Sequence, residues 1–177
     1  MILFGAISSA LVLGLVDHRT GRMPNRLTAG SLVAAFVVRA VAEGSRGAIG
    51  AVSGTAAAAA IPALFFFWTR GRAMGGGDVK ALAAIGAWLG PGLGLEVELL
   101  SFSLMAAAGL CIEGYRGSLW RVLRRTCSVA RHPSALHRAH DEWGTAMRFG
   151  PYLALGTSLG CGNHFLCARA TPLWGSF

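Results

Sequence analysis

Two aspartates stand out among the eight acidic residues of the sequence, because each lies at the edge of a long apolar run. Asp17 follows "MILFGAISSALVLGLV", and Asp78 follows three glycines and precedes "VKALAAIGAWLG". An ionisable group at the edge of a membrane is costly and by default indicates a site. Two carboxyls that face each other cannot both ionise, so they can share a proton and activate water between them. The pair predicts the acid–base chemistry of an aspartic hydrolase.

The residues around the two aspartates favour a shaped site. Pro24 and Asn25 follow the first aspartate, and the proline is expected to end the helix and form a tight turn. Gly75 and Gly77 are expected to give the backbone conformations closed to other residues, so that the second aspartate can approach the first. Lys80 is expected to stabilise a carboxylate or contact a substrate, or else to extend toward the membrane surface as an ordinary interfacial lysine.

The glycine-rich stretch is not a phosphate loop. "GGGD" has neither the spacing of a P-loop nor that of a dinucleotide fingerprint, and no strand is predicted before it. An aspartate at the start of the following helix would also repel a phosphate.

Composition places these residues in a membrane protein. Of 177 residues, 54% are hydrophobic and 14% are charged, whereas a soluble domain carries about a quarter charged residues. The net charge is +8, but the basic residues that carry it lie between apolar runs and not on an amphipathic surface of a soluble domain. Nucleic acid is therefore not expected as a partner. The sequence predicts an all-α polytopic membrane protein with about six transmembrane helices.

We predict a single membrane-embedded domain over 1–177, with a basic cytoplasmic loop at about 114–148. The N-terminus is read as a first transmembrane helix and not as a removable signal peptide, because it lacks a basic leader. The predicted spans are 1–16, 27–42, 48–68, 79–95, 97–113 and 149–168.

Basic residues predict the orientation of these spans. Thirteen of the sixteen fall in connections on one side, at 17–26, 69–80 and 114–148. The positive-inside rule places those connections in the cytoplasm and both termini outside. Both aspartates then lie at the cytoplasmic face, while Glu43, Glu96 and Glu98 are expected in external loops.

Other polar groups carry weaker signals. The segment "SLWRVLRRTCSVARH" has the pattern of a basic amphipathic helix lying on anionic lipid. His132, His137 and His140 lie in the same basic loop without a firm fourth ligand, so no metal site is predicted. The four cysteines form no C-x-x-C pair, and we assign them no redox or metal role.

The motifs together resemble the type IV prepilin peptidases, a family of membrane aspartic peptidases of the GxGD kind. The resemblance rests on Asp17 with Met23-Pro24-Asn25, on Gly75-Gly76-Gly77-Asp78-Val79-Lys80, and on "MRFGPYLALG" at 147–156. It implies that Asp17 and Asp78 are the catalytic pair and that no metal or organic cofactor is needed. It also implies a prepilin-like protein substrate and a location in the bacterial inner membrane.

The resemblance is strongest to the short members encoded with tight-adherence (Flp-type) pili. Longer members carry two C-x-x-C pairs and N-methylate the new pilin terminus. This sequence has no such pair, so methyltransferase activity is not implied. Arg148 stands where the family often has proline.

Other functions remain open at this stage. A presenilin or signal-peptide-peptidase kind of intramembrane protease also uses GxGD, but pairs it with Tyr-Asp, whereas Val16 precedes Asp17 here. A small transporter would favour more polar groups within the spans, and an inactive assembly factor is the third alternative. For the hydrolase, helix dipoles predict that Asp17, at a helix C-terminus, is protonated and that Asp78, at a helix N-terminus, is the base.

Overall fold

The computed structural model describes residues 1–71, 74–117 and 148–170, together with 120, 124 and 127. Every element that it forms there is an α-helix, which confirms the predicted all-α class. The helices are α1 (Ile2–Thr20), α2 (Asn25–Trp68), α3 (Gly76–Leu89), α4 (Pro91–Tyr115) and α5 (Gly150–Ala170).

Helix α2 reverses direction at Gly44. Its 44 residues would be roughly 66 Å long if straight, about twice the hydrocarbon thickness of a bilayer. Gly44 has φ 62° and ψ −142°, a conformation that favours glycine, and it breaks the helix. Beyond the break, Gly47 lies against the backbone carbonyl of Arg39 and Gly50 lies against its guanidinium. The parts 25–43 and 45–68 therefore form a helical hairpin.

The break between α3 and α4 falls at Gly90, earlier than predicted. Gly90 has φ 80°, and Pro91 opens α4 at a position where a missing N–H costs nothing. The predicted external loop around Glu96 and Glu98 is therefore wrong, because both residues lie inside α4. Glu98 is only 1% exposed, and its Oε2 has no hydrogen-bond partner among the described residues.

The six predicted spans are matched only in part. Within the described residues, three helices are long and apolar enough to cross a membrane: α1, α2 and α4. Helix α3 has 14 residues, or roughly 21 Å, and ends at Leu89. The predicted span 79–95 therefore extends beyond the C-terminal end of the helix. With α2 divided at Gly44, six helical segments run alternately between two ends of the bundle. We name them the aspartate end, where Asp17 and Asp78 lie, and the opposite end, where Gly44 and Gly90 lie.

Helix α3 lies at the centre of the bundle. Its buried face packs with α1 and α5 in one apolar core formed by Ala10, Leu13, Ala81, Leu82, Ile85 and Leu153, among others. Gly86 of α3 and Gly54 of α2 approach so closely that a side chain on either would meet the other's backbone carbonyl. Close packing through small residues is typical of helices in lipid. Large apolar side chains cover the outside, including Leu15, Val33, Val37, Leu64, Phe67 and Leu99.

At the opposite end, Arg39 joins α2 to the end of α3. Its Nη1 donates to the carbonyl of Trp88 at 3.1 Å, and its Nη2 pairs with Glu43 at 3.0 Å. Trp88 in turn donates from its indole nitrogen to Ser31 at 3.1 Å. A cation near the carbonyls that end a helix is favourable, so Arg39 stabilises the C-terminus of α3.

The predicted basic loop at 114–148 falls largely outside the described residues. The histidines His132, His137 and His140 lie there, as does the predicted amphipathic helix apart from residues 120, 124 and 127, so both remain predictions.

Candidate active site

Asp17 lies in the last turn of α1, and its side chain is turned into the bundle. The helix ends at Gly21, whose N–H donates to the carbonyl of Asp17 at 2.8 Å from a left-handed conformation. The residue is only 6% exposed. Its Oδ2 accepts a hydrogen bond of 2.9 Å from the N–H of Gly150, the first residue of α5. A buried carboxyl of this kind needs such a partner.

Asp78 is the third residue of α3 and is partly buried. It lies ahead of the predicted span, at the aspartate end. Burial first, and then the negative charge of Asp17, together raise the pKa of Asp78 from its ordinary 3.8 to about 6, against a hydrogen bond with the Gly75 backbone that lowers it. The two aspartates, 61 positions apart in the sequence, thus lie close enough for the charge of one to affect the pKa of the other.

The surroundings of the two carboxyls favour a division of the proton opposite to the predicted one. We expected Asp17 to hold it, because Asp17 ends a helix. The structure instead gives Asp17 a donor from the N-terminus of α5, and a hydrogen bond to a carboxylate favours the charged form. The raised pKa of Asp78 also favours a proton on that residue. Helix ends considered one at a time do not reveal the donor that α5 brings to Asp17.

The turn after α1 is joined to α3 through a side-chain pair. Pro24 caps the start of α2 in an extended conformation, with φ −67°, and Asn25 is the first residue of that helix. The ammonium of Lys80 donates to Oδ1 of Asn25 at 2.9 Å. Lys80 therefore binds the turn and makes no ion pair with Asp78 within the described contacts. Two of the predicted loop-shaping residues are thus brought together, beside the aspartate pair.

The glycines before Asp78 contribute small size and not unusual backbone angles. Gly75 has φ −72°, and the glycines with positive φ in the described residues lie elsewhere. The expectation of conformations closed to other residues is therefore wrong at these positions, because α3 already begins at Gly76. A Cβ on Gly77 would lie 3.0 Å from Cβ of Met23, and one on Gly75 would lie 3.3 Å from Oδ2 of Asp78. The small residues let the turn and the carboxylate pack closely.

Gly150 is the site residue that sequence reasoning missed. It stands within "MRFGPYLALG", where the sequence assigns it no role. The available signal is Pro151, since proline in the first turn marks the start of a helix, and the first N–H groups of a helix have no partner within it. Arg148, just before this helix, is exposed and extends over Gly21 at the end of α1, so a cation also lies at the aspartate end.

The chemistry of the site is that of two carboxyls. No group of three or more histidine, cysteine or acidic side chains with metal-binding geometry occurs in the part of the chain that the structure describes. Two carboxyls close together in one partly buried site can act as a base and an acid toward a water molecule. A helical membrane protein with such a pair has the arrangement of an aspartic hydrolase site.

Comparison with known proteins identifies the family. The Type IV leader peptidase family matches residues 4–110, a segment that includes both aspartates, the turn and the glycines. This match covers more than half of the chain, so the protein belongs to the Type IV leader peptidase family.

Curated relatives agree with that assignment. A "Prepilin leader peptidase/N-methyltransferase" of Burkholderia pseudomallei (strain 1026b) is 34% identical over 66% of this chain and 38% of its own length. Proteins of the same description from Pectobacterium carotovorum subsp. carotovorum and Pseudomonas putida are 29% and 30% identical over 90% and 88% of this chain. These alignments cover 51% and 47% of the two relatives, so the chain spans about half their length. No solved structure matches the chain significantly.

Proposed function

We propose that this protein is a membrane aspartic endopeptidase that removes the leader peptide from prepilin-like proteins. The observation that carries the proposal is the placement of Asp17, which is buried, and Asp78, which is partly buried, at the same end of the bundle. Membership of the leader peptidase family supports the reaction class. The descriptions of the relatives support a prepilin as the substrate.

The proposed reaction uses one water molecule and the one proton that the pair shares. The ionised Asp17 takes a proton from water as the water oxygen attacks the carbonyl carbon of the scissile peptide bond. Asp78 gives its proton to the carbonyl oxygen, so a neutral tetrahedral intermediate forms. When the C–N bond breaks, the proton on Asp17 passes to the leaving amine and the hydroxyl proton returns to Asp78. The pair ends as it began, and no cofactor takes part.

The proposed substrate and location follow from resemblance and charge. Similarity to the short tight-adherence members suggests an Flp-type prepilin, cut after a glycine that precedes its hydrophobic helix. The basic connections suggest that the aspartate end faces the cytoplasm across the bacterial inner membrane. Anionic lipid would then lie against the basic loop at 114–148.

Co-expression with an Flp-type prepilin tests the activity. We expect the wild-type protein to produce a shorter pilin on a gel, whereas Asp17→Asn and Asp78→Asn leave it at full length. Glu96→Gln is the matched control, because Glu96 is an exposed carboxylate in α4, remote from the aspartate end. A prepilin that stays intact with the wild-type protein would refute the proposed substrate.

Reporter fusions test the orientation separately. A reporter active only outside the cytoplasm should give a signal when fused near Gly44 or at Phe177. It should stay silent when fused near Arg72 or Arg131. The inverted pattern would put the aspartate end on the wrong side of the membrane for the proposed substrate.

A further inference from the structure

The N-terminus of α5 is docked on the Asp17 carboxyl. Gly150 N–H and Asp17 Oδ2 are 2.9 Å apart in a buried contact that joins residues 133 positions apart. The first N–H groups of a helix have no partner within that helix, and they carry the positive end of its dipole. Both effects stabilise a negative charge on the side chain that they meet.

Two glycines make this approach sterically possible. A Cβ on Gly150 would lie 2.6 Å from Cβ and 2.8 Å from Oδ2 of Asp17. A Cβ on Gly14, one turn earlier in α1, would lie 2.8 Å from the carbonyl oxygen of Gly150 and 3.0 Å from Cβ of Ala154. These distances are shorter than real side-chain contacts. Any larger residue at either position must therefore push α5 away from α1.

We propose that Gly150 is a positioning residue of the aspartate pair, which holds Asp17 as the ionised member so that the shared proton resides on Asp78. The importance of this role for catalysis rests on the proposed function, because the position of the proton decides which carboxyl acts as the base. The geometry itself does not depend on the reaction. Nothing in the similarity to relatives assigns this role to the residue.

The other charged groups near the pair come from each neighbouring element. His18 and Arg19 follow Asp17 on α1, Arg26 lies in the first turn of α2, and Arg148 precedes α5. On α3 they are Asp78 itself and Lys80, whose ammonium is engaged by Asn25. The pKa of Asp78 is raised first by burial and then by the charge of Asp17, which agrees with Asp17 as the ionised partner.

Infrared spectroscopy of the full chain in lipid vesicles tests the proposal without any need for cleavage. The band of the protonated aspartic carboxyl is followed during an acid titration. As the pH falls through about 6, the first band to grow in the wild-type protein should be absent in Asp78→Asn. In Asp17→Asn it should persist but appear at a lower pH, because the negative neighbour is gone. The opposite pattern would overturn the assignment of the proton.

The role of Gly150 is then measured on Asp17 alone, in the Asp78→Asn background. Adding Gly150→Ala should strengthen severalfold the protonated-carboxyl band that Asp78→Asn still shows at a fixed pH, because the displacement of α5 removes a hydrogen bond to the charged form of Asp17. Adding Gly162→Ala is the control. Gly162 lies on the same helix, and nothing would meet its Cβ within 4 Å.

Gly14→Ala provides a second route if Gly150→Ala does not fold. Its new methyl group meets Gly150 and Ala154 rather than the carboxyl, so it should strengthen the same band. A band that stays unchanged in a folded variant of either glycine would overturn the positioning role. If the wild-type protein titrates as expected but cuts no prepilin, the proposed function fails and this inference stands.

Discussion

The Lys80 ammonium and the Asn25 side chain are 2.9 Å apart and link two motifs that lie 55 positions apart. The bond ties the turn after α1 to the first turns of α3, so it holds the two elements that carry Asp17 and Asp78 in one arrangement. Lys80 thereby acts on the site through the turn. Its charge is not paired with either aspartate in the described contacts.

This arrangement predicts that Lys80 and Asn25 act as one unit. Lys80→Gln and Asn25→Ala should each lower prepilin cleavage by a few-fold, because the pair is exposed and such contacts are worth roughly 0.2–1 kcal/mol. The double variant should lose no more than either single one. A double-mutant cycle on cleavage rates measures this coupling. Fully additive losses would show that the two side chains act independently.

The glycines before Asp78 predict a contrast between neighbouring positions. Gly77→Ala should slow cleavage by roughly fivefold, or about 1 kcal/mol, because its methyl group would lie 3.0 Å from Met23 Cβ. Gly76→Ala should be milder, since its methyl group would meet Phe66 at an ordinary 3.5 Å. Cleavage rates of the two variants at equal membrane levels test the contrast. Equal losses would indicate that backbone freedom, and not space, is what these glycines provide.

The raised pKa of Asp78 predicts a pH-dependent change in stability. The folded state binds the proton more tightly than the unfolded chain, so Asp78 costs stability increasingly as the pH rises from about 3.8 to about 6. Above about pH 6, Asp78→Asn should therefore raise the free energy of unfolding by about 1 kcal/mol after allowance for partial exposure, and raise the Tm with it. The gain should shrink as the pH falls toward 3.8.

Thermal unfolding in detergent on both sides of that range measures this effect. Asp17→Asn is the informative companion, because it removes the negative neighbour and should lower the pKa of Asp78 toward its ordinary value. A stability difference between Asp78→Asn and the wild-type protein that does not vary with pH would contradict the raised pKa.

Replacing the buried Glu98 is predicted to stabilise the fold. The residue is 1% exposed, and Oε2 has no partner among the described residues, so its burial is poorly compensated. Glu98→Leu should raise the free energy of unfolding by about 1–3 kcal/mol. Glu96→Leu, an exposed change in the same helix, should have an effect within about 0.5 kcal/mol. A lower Tm for Glu98→Leu would mean that the carboxyl makes a contact whose stabilisation exceeds the cost of burying it.

The sequence was most informative where apolar runs end. Asp17 and Asp78 both stand at such boundaries, so their placement at one end of the bundle followed from counting spans. The end of α3 was not predictable in this way, because apolar residues continue through Gly90 and hide the break. The glycine–proline pair was the better signal there, since it marks a helix start regardless of hydrophobicity.

The surroundings of Asp17 include a contact that no local pattern encodes. Helix dipoles within α1 and α3 favour a proton on Asp17, but a donor to its carboxyl comes from α5. The approach of Gly150 is decided by the packing of α5 against Gly14 and Ala154. Such tertiary contacts outweigh a dipole effect of about 0.3–1 kcal/mol at an exposed helix end.

The most direct measurement of the central claim is the rate at which the purified protein in lipid vesicles cleaves a prepilin, compared among Asp17→Asn, Asp78→Asn and the double variant. The account predicts that each single variant abolishes cleavage and that the double variant is no worse, because residues that act as a unit are strongly non-additive. Glu96→Gln should cleave at the wild-type rate. Near-normal cleavage by either single variant would contradict the account, since that aspartate could not then belong to the reacting pair.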